Sequence, residues 1–87
     1  MGIKKVKKDM IIRTKSAILA GKLYDTIEKF GLESFRFNGD CCYEGESKPV
    51  YSIGFMIPAQ KLSSAVLATL AFEKDFKKGK DYVISYN

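Results

Sequence analysis

The chain has no histidine among its 87 residues, and only two cysteines and two prolines. Without histidine there is no imidazole to act as a general base, to ligate a metal or to complete a His-containing triad. The two cysteines, Cys41 and Cys42, are neighbours. Adjacent strand residues point to opposite faces and a disulfide between them is strained, so the pair makes no staple. It also falls short of a zinc ligand set within one chain, and no metal or other cofactor is expected. One core thiol and one surface thiol in a reducing compartment is the reading that remains. No run approaches 18 apolar residues, which excludes a transmembrane helix, and no apolar stretch follows the N-terminal lysines to make a secretory signal. Val6 stands where a myristoylation pattern beginning at Gly2 has Ser or Thr. A cytoplasmic protein without membrane attachment is expected.

What is present describes one foldable domain. Hydrophobic residues make up 46% of the chain and aromatics 13%, enough for a core and too many for disorder. Residues 1–87 are expected to form a single domain, with 1–8 as a basic arm. At this size stability is a few kcal/mol unless a partner or self-association adds to it.

The net charge of +5 is not spread over the chain. Lys4, Lys5, Lys7, Lys8, Arg13 and Lys15 face only Asp9 within residues 1–15, while residues 16–87 balance. The excess is therefore a local field at the N-terminal segment. Residues 33–46 are net acidic, and residues 74–80 are net basic through Lys74, Lys77, Lys78 and Lys80.

Periodicity gives the order of elements. Asp9–Lys15 alternates weakly and reads as a strand. Thr14 or Ser16 caps a helix over Ala17–Phe30, whose buried face is expected to hold Ala20, Leu23, Tyr24, Ile27 and Phe30. Gly31 ends that helix in a left-handed conformation, with Leu32 as the accompanying hydrophobic contact. Ser34–Tyr43 and Val50–Ile57 read as strands joined through the turn-forming segment Glu44–Pro49. A second helix is expected from about Ala59 to Lys78, or from Ser63 or Ser64 if either serine caps it, and Asp81–Asn87 closes the chain as a strand. This β-α-β-β-α-β order predicts the α+β, ferredoxin-like split βαβ arrangement: a four-stranded antiparallel sheet with both helices on one face. Phe35, Phe37, Tyr51, Ile53, Phe55 and Ile57 are expected to face the helices. The open face is then expected to carry Arg36, Asn38, Ser52, Gly54 and Met56, with Ile11, Arg13 and Lys15.

Several chemistries of this fold are absent. The first loop, TKSAILAG, is not the Gly-rich, Arg-bearing loop of acylphosphatases, and no cysteine precedes Cys41 to make a metallochaperone motif. The junction LYDTIEKFGLESFRF resembles the helix-to-strand step of the small ribonuclease-like proteins of the CRISPR adaptation and toxin group. That resemblance covers about fifteen residues and implies the topology. The aspartate that carries metal chemistry there, at the end of the first strand, is replaced here by Arg13, Thr14 and Lys15, so no activity transfers. A binding protein rather than an enzyme is expected.

The favoured partner is RNA or a ribonucleoprotein, held through phosphate contacts by Lys4, Lys5, Lys7, Lys8, Arg13, Lys15 and Arg36, with Lys77, Lys78 and Lys80 as a second patch. The sequence KPVYSIGFMI lacks the outward aromatic octapeptide of RNA-recognition domains, so backbone or shape recognition is expected rather than base stacking. Composition suggests a regulatory or inhibitory role of the kind that phages and mobile elements direct at host defence or toxin systems. The alternative is a protein-only inhibitor or adaptor acting on a host protein through a sheet edge, the acidic hairpin tip or a homodimer face.

Overall fold

In the computed structural model, which describes residues 7–87, the elements are β1 (Met10–Thr14), α1 (Ala17–Lys29), β2 (Phe35–Cys41), β3 (Val50–Ile57), α2 (Ser64–Phe72) and β4 (Tyr82–Tyr86). The strands form one antiparallel sheet in the order β2-β3-β1-β4, the ferredoxin-like α+β arrangement that the element order implies. Among the described residues, no helix is long and apolar enough to cross a membrane.

Local chemistry sets the ends of α1. Ser16 Oγ accepts from Leu19 N–H at 3.2 Å, and Thr14 Oγ1 accepts from Ser16 N–H at 3.0 Å, so both candidate caps are used. At the other end Gly31 has φ 60°, Gly31 N–H donates to Glu28 O and Leu32 N–H donates to Ile27 O, the paired bonds of a Schellman motif. The buried face differs from the expected one: Leu19 and Thr26 join Ala20, Leu23 and Ile27, whereas Tyr24 and Phe30 are exposed.

Directly opposed residues in antiparallel strands share a face, so register assigns the sides. Met10, Ile12, Phe55 and Ile57 pack with Leu19, Leu23 and Ile27 of α1 and Val66 and Leu70 of α2. This matches the expectation for β1 and β3. For β2 the expectation is inverted. Arg36 opposes Phe55 and Asn38 opposes Ile53, so Arg36, Asn38 and Asp40 lie on the helix side and Phe35 and Phe37 on the open side. The reason is that β2 is an edge strand that only the rim of α1 reaches, at Tyr24, and its polar side chains remain exposed there. Phe37 instead finds contact on the open side at Gly54, where a Cβ would lie 2.3 Å from the tip of the ring. Tyr51 opposes Asp40 on the helix side but is 66% exposed, and it accepts a hydrogen bond from Asn38 Nδ2 at 2.9 Å.

The second helix is shorter than the residues 59–78 expected for it. Ser63 precedes α2 but has helical φ/ψ and does not cap it with its side chain. Its hydroxyl donates to Pro58 O and accepts from Gln60 N–H, fastening the turn before the helix. Nine helical residues rise about 14 Å, close to the roughly 17 Å of a five-residue strand, and extension to Lys78 would overshoot the start of β4. The chain turns instead through residues 73–81. Lys77 N–H donates to Asp81 Oδ2 at 2.7 Å, and Gly79 takes φ 89°.

Candidate nucleic-acid interface

Four strands place side chains on the uncovered face in rows fixed by register. One row runs Phe35, Met56, Ile11 and Ser85, and the next Phe37, Gly54, Arg13 and Val83. Gly54 leaves the middle of the second row without a side chain. The Phe37 ring lies over it from one side, and the Arg13 guanidinium carbon comes to 5.4 Å from the ring centroid. Phe35 is 52% exposed, a large apolar surface left in water beside half-buried Met56 and Ile11. Among the described residues no carboxylate forms an ion pair with Arg13; the pairs are Lys15 with Glu46 and Lys22 with Glu73. Lys22 thus reaches across to the end of α2 rather than pairing with acids of its own helix.

A buried anchor lies at the end of this face. Tyr43, just past β2, is buried and its hydroxyl stands 2.6 Å from Ser52 Oγ. Ser52 Oγ in turn donates to Val50 O, which leaves Tyr43 as the donor of the pair. Burial holds the Tyr43 phenol above its ordinary pKa of 10.0, against the opposing effect of the Ser52 hydrogen bond. Lys15 Nζ sits 5.1 Å from the Tyr43 ring centroid and 3.1 Å from Glu46 Oε1.

The basic residues selected from sequence do not form one track. Lys4 and Lys5 lie outside the described residues. Lys7 and Lys8 are exposed just before β1, and Arg13 and Lys15 follow on the open face. Lys8 and Lys15 flank the two ends of β1, whose five residues span roughly 17 Å. Arg36 is on the opposite side, with its guanidinium 5.9 Å from the Tyr24 ring centroid, and cannot share phosphates with Arg13. Lys77, Lys78 and Lys80 are exposed in the turn before β4, not at a helix end. The acidic turn folds against that segment: Glu44 N–H donates to Gly79 O at 2.9 Å, and the Glu44 carboxylate lies against Gly79. With Glu46 held by Lys15, the hairpin tip offsets the second basic patch and is not a free acidic docking point.

Sequence reasoning missed Phe35 and Phe37 as surface rings. The signal that finds them is Gly54 opposite Phe37, which requires the strand register. The thiols also differ from the one-core, one-surface expectation: Cys41 is half-buried at the end of β2 and Cys42 is exposed. No family model matches this chain, and comparison with curated proteins and with solved structures gives no significant match.

Proposed function

We propose that the protein binds single-stranded RNA, free or within a ribonucleoprotein, on the open face of its sheet, and acts by holding it rather than by chemistry. The observation that carries this reading is the adjacency, on the face that the helices do not cover, of two phenyl rings and a guanidinium that has no carboxylate partner among the described residues. Unpaired bases stack on aromatic side chains at about 1–3 kcal/mol each, and every base offers a π-face. Arg13 supplies a phosphate contact in the same row as Phe37, and Lys7 and Lys8 extend the positive field past the start of β1. This reading adds base stacking to the backbone or shape recognition expected from sequence. The rings come from the edge strand β2, whereas RNA-recognition domains carry their aromatic octapeptide on the third strand. A surface that binds without catalytic groups suits a regulatory or inhibitory role, including one directed at a host defence or toxin system.

The test is a binding titration with a mixed-sequence single-stranded RNA and with duplex DNA, each at two salt concentrations. Phe35→Ala is expected to weaken RNA binding by roughly 5- to 150-fold, the loss of one stacked base. Arg13→Ala is expected to weaken binding and to lower the salt slope by about one. Phe72→Ala removes a ring 82% exposed on α2 and should leave affinity unchanged. Wild-type affinity in both Phe35→Ala and Arg13→Ala, or no RNA binding at all, would overturn the proposal.

A further inference from the structure

The two edges of the sheet are unlike. At β4 the chain covers the start of its own edge: Lys78 bridges to Tyr82, and Gly79 N–H donates to Tyr82 O at 2.6 Å. Among the described residues, no strand pairs with the outer edge of β2. Its seven residues pair with β3 one for one, without a bulge or proline, and its two charges, Arg36 and Asp40, are of opposite sign, so they repel a second strand only where like meets like. Long, regular edges of this kind template pairing with another strand unless charge, proline or a bulge blocks them.

The sequence of β2, FRFNGDC, complements itself when laid antiparallel on a second copy. A two-fold axis at Asn38 sets Arg36 opposite Asp40 of the second copy and Phe37 opposite Gly39 of the second copy, each twice. All seven residues are then used. Opposed residues share a face, so the Arg36–Asp40 pairs form on the helix side, where both residues are exposed. Gly39 of the second copy brings no side chain against Phe37 on the open side, so that ring can stay over Gly54. Moving the axis to Phe37 sets Arg36 opposite Asn38, and moving it to Gly39 sets Asp40 opposite Asn38. Either shift shortens the overlap and loses both charge pairs.

We infer that the protein forms a two-fold symmetric dimer through antiparallel β2–β2 pairing, which joins two sheets into one of eight strands. The occupant of the edge is a second copy of this chain, identified by the charge and size complementarity of the strand with itself. Both open faces lie on the same side of the joined sheet. The inference does not depend on RNA binding, and its test contains no RNA.

Sedimentation of the full chain from low micromolar to several hundred micromolar is expected to pass from the 9.8 kDa monomer to twice that mass. Arg36→Asp and Asp40→Arg each place like charges opposite one another at both pairs and should weaken association by about tenfold or more. An equal mixture of these two variants restores opposite charges at both pairs and should recover the dimer as a heterodimer. A third variant keeps both charges: Asn38→Cys, in a chain with Cys41 and Cys42 changed to serine, places two thiols on the axis. Opposed Cα atoms about 4.5–5.5 Å apart are within disulfide reach, so mild oxidation should cross-link the pair. A monomer at every concentration, a dimer indifferent to both charge reversals, or no Asn38→Cys cross-link would overturn the inference.

Discussion

The two faces of the sheet use apolar side chains differently. On the helix side Met10, Ile12, Phe55 and Ile57 are almost wholly buried, and Thr14, also fully buried, donates through its hydroxyl to Asp81 O at 2.8 Å. On the open side Phe35 remains half in water, Phe37 rests on a glycine, and cations stand over two of the rings. The first face is saturated and accounts for the stability of the domain. The second has aromatic area and positive charge that the fold does not consume, and unspent surface of that kind is what a binding partner can use. Tyr43 is the exception, since it fastens the end of the open face to the sheet through Ser52.

This contrast is broken most severely from the helix side. Phe55→Ala should cost about 3–5 kcal/mol in urea unfolding, enough to abolish the folded state of so small a domain, whereas Phe35→Ala should cost under about 1 kcal/mol. Gly54→Ala places a methyl group where the Phe37 ring lies and should cost about 1 kcal/mol. That is the low end for overpacking, because the ring can swing outward; the same change should impair RNA binding, and adding Phe37→Ala should remove the stability cost but not restore binding. Tyr43→Phe should also cost about 1 kcal/mol by thermal or urea unfolding, the worth of one hydrogen bond, since Ser52 keeps its bond to Val50.

The effect of pH follows from Tyr43 and Tyr82, whose phenols burial holds above the ordinary value of 10.0. Above that value the unfolded chain loses these protons first. Stability should therefore be unaffected by these groups at neutral pH and fall as pH rises past about 10 through the raised folded values. Tyr43→Phe and Tyr82→Phe should each flatten that alkaline fall in urea unfolding followed against pH. The smallest expected stability effect is at Glu46. Glu46→Ala should change stability by only a few tenths of a kcal/mol, because the pair with Lys15 is partly solvent-exposed. The same change frees Lys15 for phosphate and should strengthen RNA binding at low salt.

Much of the fold is legible in the sequence because its signals are local. Ser16 and Gly31 bound α1 through bonds to residues three or four away, and turn residues separate the strands. The side that β2 presents is not local. Alternation shows that Phe35 and Phe37 share a face, but the choice of face depends on β2 lying at an edge and on Gly54 standing opposite Phe37. The end of α2 is likewise set by the distance to the start of β4 rather than by the charged residues 73–80. Linear charge identified Arg13 and Arg36 equally, and only register places them on opposite sides of the sheet.

Ultraviolet cross-linking of the full chain to single-stranded RNA, with the linked residues located by mass spectrometry, tests the central claim most directly. Links at Phe35 and Phe37 are the predicted result. Binding accompanied by links at Tyr24, Tyr51 or Phe72, and none at Phe35 or Phe37, would contradict it.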